Sequence, residues 1–113
     1  MTTVMRLSGI LMLTLLSTLV AARAQAQDAG AAVYATQKCS LCHSLGGRGH
    51  AKGPLDGVGA KLTADDLRKW IVTPAEMTAK STSTRKPAMR AYPNLPKGDL
   101  DALVTYLTAQ KTK

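Results

Sequence analysis

Two cysteines three positions apart with a histidine directly behind them, Cys39-Ser40-Leu41-Cys42-His43, constrain this chain more than any other feature. They are its only cysteines. So close a pair reads in three ways: a thiol–disulfide couple, half of a zinc site, or the covalent attachment point of a haem. A redox couple calls for a βαβ setting, and no strand pattern surrounds this one. A zinc site would need more ligands, and the chain offers only His43 and His50. Attachment of a haem c through two thioethers needs two thiols facing one edge of the porphyrin. Positions i and i+3 of a helical turn face the same way, and His43 follows to give the iron its proximal nitrogen. This reading fits best, and one covalently bound haem is the expected cofactor.

The N-terminus limits where such a haem would be used. Arg6 precedes an apolar run from Leu7 to Ala22, followed by Ala22-Arg23-Ala24-Gln25-Ala26 with two small-x-small sites. Charge, apolar stretch and cleavage pattern are those of a secretory signal peptide over residues 1–26. At about 16 residues the run is short of the roughly 20 that a spanning helix needs, so no stable membrane insertion is expected after cleavage. Cleavage after Ala26 leaves 87 of the 113 residues, a single domain over 27–113, and places it in the periplasm. A core that small benefits from an apolar cofactor. The chain has no Phe and only Tyr34, Trp70, Tyr92 and Tyr106 as aromatics. Of its formal +8, Arg6 and Arg23 leave with the leader, so the remainder keeps +6. That surplus favours acidic protein partners. Nucleic acid is argued against by the export signal and by the lack of a basic–aromatic strand pattern.

The mature part reads as all-α, with three main helices joined by long loops. Asp28 is an expected N-cap for a first helix from Ala29 to Lys38. Thr63 and Asp66 stand at capping positions ahead of Leu67, Trp70 and Ile71, which share a helical face. Pro74 is expected to stop that helix, and Thr78 to Pro87 reads as an exposed polar loop. Leu100, Leu103, Val104 and Leu107 form the cleanest helical stripe, with Asp99 as its cap or no cap at all. Between Gly46 and Gly59 the glycines and Pro54 make a turning loop. No strand is expected. Loops this long in a small domain make sense if they pack on a flat cofactor.

The other face of the iron could take Met89, Met77 or His50, or stay open. His50 lies in the glycine-rich loop on the proximal side and suits a solvated role. Met77 comes three residues after Pro74, where packing over the haem edge is the simpler role. Met89, in Lys86-Pro87-Ala88-Met89, sits on an extended segment that could bring a thioether to the haem face. A sulfur ligand there would raise the potential and close the coordination shell.

From Gly30 to Leu107 the sequence resembles a class I monohaem cytochrome c of the bacterial periplasmic kind. The matching pieces are Gly30 and Tyr34, the Cys39–His43 motif, Gly53-Pro54-Leu55, Trp70 four before Pro74, Lys86-Pro87-Ala88-Met89, and Leu103-Val104-Thr105-Tyr106-Leu107. The resemblance implies a cytochrome c fold, all-α and wrapped around one haem. It implies a crossing of the first and last helices, Gly30 and Tyr34 against Leu103 and Tyr106. It also implies a Pro54 carbonyl accepting from His43, a bond that would fix the ring and strengthen it as a donor. His43 and Met89 become the implied metal ligands, with Trp70 and Tyr92 as pocket residues. The Gly53-Pro54-Leu55 turn is one residue shorter than the common pattern. Met89 is followed by Arg90 where related sequences often carry proline.

No nucleophile or paired carboxylate presents itself, so no catalytic residue is assigned and a monomeric single-electron carrier serving redox partner proteins is the leading expectation. Lys80, Arg85, Lys86, Arg90 and Lys97 flank Met89 and could ring an exposed haem edge. A dedicated haem subunit of a periplasmic dehydrogenase or oxidase would look the same. A peroxidase or gas sensor would require both methionines to be non-ligands.

Overall fold

The computed structural model describes the backbone of residues 2–112 and the side chains of residues 16–112. Helix α1 (Thr2–Thr36) leads into a short 3-10 turn at Cys39–Leu41. A hairpin of β1 (Ser44–Leu45) and β2 (Arg48–Gly49) follows, then α2 (Val58–Lys61), α3 (Ala64–Val72), α4 (Pro74–Ser81) and α5 (Lys97–Thr108). The architecture is helical, compatible with a cytochrome c fold. Among the described residues no helix is long and apolar enough to cross a membrane.

Asp28 does not start a helix. It lies inside α1, because the Ala and Gln residues around it are good helix formers and nothing there breaks the ladder. Leu16, Leu19 and Val20 of α1 are exposed. At its C-terminal end α1 stops two residues sooner than expected, and Lys38 takes a left-handed conformation with φ 57° that turns the chain into the cysteine motif.

Packing is organised by α1 against α5, the most extensive contact between elements. Gly30 is buried at the crossing, where a Cβ would run into the backbone carbonyl of Ala102 and the Cβ of Tyr106. Absence of a side chain is what lets the two helices approach. Tyr34 and Tyr106 meet one turn along, their ring centroids 6.0 Å apart at 60°. Val33, Leu103, Val104 and Leu107 join Leu67 and Ile71 from α3 in one core. Each is apolar and recurs at helical spacing, so one stripe per helix supplies the burial.

Helix α3 starts at a capping box. The Thr63 hydroxyl accepts from the Asp66 N–H at 3.1 Å, and the Asp66 carboxylate accepts from the Thr63 N–H at 3.3 Å. The Thr63 hydroxyl also donates to the Asp66 carboxylate at 2.9 Å, and this bond, then that from the Thr63 N–H, holds the carboxyl below its ordinary range. Pro74 ends α3 and also opens α4 at its first position. A proline is favourable there, since its missing N–H would have had no partner. The polar stretch after it is therefore helical through Ser81, and the loop begins at Thr82. Helix α5 has no side-chain cap; Pro96 precedes it and accepts only the Leu100 N–H.

The hairpin is a second departure from the expected all-helical reading. Ser44 pairs with Gly49 and Leu45 with Arg48 across Gly46 and Gly47. Both glycines have positive φ, 60° and 77°, as a two-residue primed turn requires. A parallel bridge from Ser44 to Pro54 brings the following loop back beside the motif.

Alanine at position 30 would gain about 1 kcal/mol of helix propensity over glycine. Its methyl group would also have to displace the backbone of α5, which costs more. Gly30→Ala is expected to lower stability by about 1–3 kcal/mol, read by denaturant unfolding of the haem-loaded protein. A rise in stability would contradict so close a crossing.

Candidate haem-binding site

The 3-10 turn carries Cys39 and Cys42 to the wall of a cavity of about 750 Å³. That volume lies within the roughly 300–1,000 Å³ typical of small-molecule and cofactor sites. Cys39 is half-buried and Cys42 exposed, and both are free thiols. The turn is closed by backbone bonds from the N–H groups of Cys42 and His43 to the Cys39 carbonyl, at 3.1 and 2.9 Å. Burial pushes the Cys39 thiol up from its ordinary value, so it is held neutral.

His43 lies at the same wall. Its Nδ1 is 3.0 Å from the carbonyl of Gly53. A carbonyl can only accept, so Nδ1 carries the proton and Nε2 keeps its lone pair, which is the tautomer a metal ligand needs. Burial first, with the Arg85 charge adding to it and the Gly53 bond opposing, holds the imidazole below its ordinary pKa. A neutral ring with a free Nε2 is therefore presented.

The acceptor corrects the expectation of Pro54. Pro54 is exposed and lies outside the cavity wall; Gly53, one residue earlier, is buried and does the work. Its carbonyl also accepts from the Ser44 N–H at 3.0 Å, and its N–H donates to the His50 carbonyl. A Cβ on Gly53 would strike the Cys42 carbonyl and the Arg85 guanidinium.

Trp70 from α3, and Met89 and Tyr92 from the segment between α4 and α5, line the cavity together with Cys39, Cys42 and His43. Two anchors hold Tyr92: its N–H donates to the Ile71 carbonyl at 2.9 Å, and its hydroxyl donates to the Gln37 carbonyl at 3.4 Å. Leu55, Val58, Leu67, Leu95 and Leu103 complete an apolar lining. Met77 stands in α4 and is not part of the wall. His50 is exposed, and its Nδ1 accepts from the Lys52 N–H at 3.3 Å. The cavity thus holds Met89 and not the other two candidate ligands.

Arg85 is the residue that sequence reasoning misplaced. It was expected in a surface ring, yet it is half-buried, lines the cavity and donates to the Cys42 carbonyl. Nothing in the sequence distinguishes it from the basic residues beside it. Lys97 pairs with Asp101 at 2.5 Å while Arg68 reaches the same carboxylate at 2.7 Å, and the Lys97 side chain stays exposed. Lys80, Lys86 and Arg90 remain exposed.

The donor set fits a haem. Two thiols and a neutral imidazole share one edge of an apolar cavity, and a thioether lines the same space. Tyr34, also on the wall, has a buried hydroxyl with no hydrogen-bond partner among the described residues. Burial, then the neighbouring Cys39, Tyr106 and Asp56, push it up to about 12, so it is a neutral donor able to meet a polar edge. No cluster of three or more His, Cys, Asp or Glu side chains is found among the described residues.

Comparison with known proteins agrees with this geometry. Residues 25–107 match the family described as cytochrome c oxidase, cbb3-type, subunit III. Cytochrome c oxidase subunit 2 of Alkalihalophilus pseudofirmus is 30% identical over 91 residues, which cover 73% of this chain and 25% of that protein. The chain therefore spans about a quarter of the length of that curated relative. No solved structure matches. The family match takes in the motif, the cavity and all the helices that build it, and the chain belongs to this family of c-type cytochrome domains, which transfer electrons through haem.

Proposed function

We propose that the mature chain, residues 27–113, is an exported single-electron carrier with one haem c joined to Cys39 and Cys42 and with His43 and Met89 as axial ligands. The observation that carries this reading is the shared cavity: His43 with a free Nε2 and Met89 line it, whereas Met77 and His50 do not. Haem iron, when bound, takes up one electron and gives it back, with no atom transferred. The chain's own contribution is to hold and exclude. The Gly53 carbonyl keeps the imidazole oriented and makes it a stronger donor. Leu55, Val58, Leu67, Trp70 and Leu103 keep water from the interior. A methionine sulfur on the second face favours the reduced state and leaves no site for oxygen.

Export is supported by the pattern of residues 1–26, and cytochrome c domains typically work outside the cytoplasm. The exposed apolar side chains of Leu16, Leu19 and Val20 fit a leader that the domain does not need. Redox partners with acidic surfaces are favoured by the positive surplus; Lys86 and Arg90 flank Met89 in sequence and are exposed, and Arg90 lines the cavity. A second reading is a haem domain that serves one terminal oxidase as a bound subunit. It is favoured by the family match and by the relative, both named for oxidase subunits. Purification as a monomer or with a partner separates the two.

The ferric protein is expected to show a weak near-infrared band from methionine-bound iron, and Met89→Ala is expected to abolish it. A band that survives the substitution would move the ligand elsewhere. A wild type that is already high-spin would point to a peroxidase or sensor. Neutralising Lys86 and Arg90 together is expected to slow reduction by an acidic partner and flatten its salt dependence; unchanged rates at low salt would remove the docking role.

A further inference from the structure

The segment from Thr82 to Pro96 carries Met89 but belongs to no helix or strand. Its attachments to the rest of the domain are few and lie at its two sides. On the C-terminal side, Tyr92 donates to the carbonyls of Ile71 and Gln37. On the N-terminal side, Arg85 donates from Nη2 to the Cys42 carbonyl. Between them, residues 86–91 make no backbone hydrogen bond among the described residues, and Arg90 lies over the ring of the Tyr92 tether at 5.9 Å. Met89 is therefore bracketed, four residues after one tether and three before the other.

The Arg85 tether is built into the motif itself. Its acceptor is the carbonyl of the second cysteine, directly before His43, and its guanidinium packs where Gly53 has no side chain. Gly53 is also the residue whose carbonyl holds the His43 ring. One cation thus touches the backbone that sets the imidazole and belongs to the segment that presents the thioether. A charge-assisted bond of this kind is stronger than a neutral one, and the fork of an arginine can satisfy the carbonyl while lying flat against the glycine. Lysine offers one ammonium and could keep the bond without the packing.

We infer that Arg85 is a positioning residue that fixes the Met89-bearing segment onto the Cys42–Gly53 turn, so that both sides of the cavity are held to one piece of backbone. The inference rests on the proposed haem site for its functional meaning. The tether itself is a property of the chain.

The test compares haem-loaded wild type, Arg85→Gln and Arg85→Lys by two measurements. Tryptic cleavage after Arg90 under native conditions reports release of the segment, with cleavage after Lys69 in α3 as the control for global unfolding. Imidazole titration of the ferric protein, followed optically, reports how firmly the internal sixth ligand is held. In Arg85→Gln, cleavage after Arg90 is expected to be about tenfold faster with cleavage after Lys69 unchanged, and the apparent imidazole affinity is expected to rise by a similar factor. Arg85→Lys should return both values most of the way to wild type. Unchanged cleavage after Arg90 overturns the tether. Faster cleavage with unchanged imidazole affinity overturns the positioning role. If Met89→Ala shows an optical spectrum identical to wild type, the Met89 ligand reading fails, while the cleavage result still decides on Arg85.

Discussion

The carbonyl of Gly53 is the point on which the site depends. It accepts from the His43 ring and from the Ser44 N–H, using both lone pairs of one oxygen. The first bond fixes which imidazole nitrogen carries a proton, and the second closes the loop back onto the hairpin. Because the residue has no side chain, the Cys42 carbonyl and the Arg85 guanidinium can pack against it. Any other residue at this position would force the cysteine motif away from the loop that orients its histidine.

A second constraint of the same kind operates near the C-terminal end of α1. Gly30 lets α5 pass at backbone distance, which brings Tyr34 against Tyr106 and Leu103 and Leu107 into the cavity wall. The chain has no Phe and no fully buried large side chain among the described residues. Its core is six apolar residues with half-buried neighbours. So small a core is marginal alone, and the apolar lining of the cavity is the surface that a haem would cover.

The parts legible in the sequence are those governed by short periodic or positional rules. Leu67 and Ile71, and Leu103, Val104 and Leu107, follow helical spacing and are buried. Thr63 and Asp66 form their capping box because the rule involves only neighbours. The cysteine motif and the positions of Met89, Trp70 and Tyr92 could be found from spacing and resemblance, and all line one cavity. What was not legible depends on distance through space. Two-residue strands are too short to show alternation, so only Gly46-Gly47 hinted at the hairpin. Pro74 was read as an ending, though a proline ends one helix and begins the next with equal ease. Asp28 has the chemistry of a cap, but the helix formers before it carry the ladder straight through. Which carbonyl in Gly53-Pro54 meets the ring depends on how the turn folds back, and it is that of Gly53. Arg85 looked like its exposed neighbours, and only the fold turns it inward.

The family match makes electron transfer through haem the business of this chain, and the geometry assigns the work among its residues. Two thiols would hold the cofactor, an oriented imidazole and a bracketed thioether would close the iron, and the basic residues near the mouth would meet a partner. The most direct measurement is the intact mass of the protein purified from its exported form after acid–acetone treatment. A chain shortened at its N-terminus, near Gln27, that retains the mass of one haem is the expected result. A chain stripped to the bare polypeptide by that treatment, or one that never carried the added mass, would contradict it.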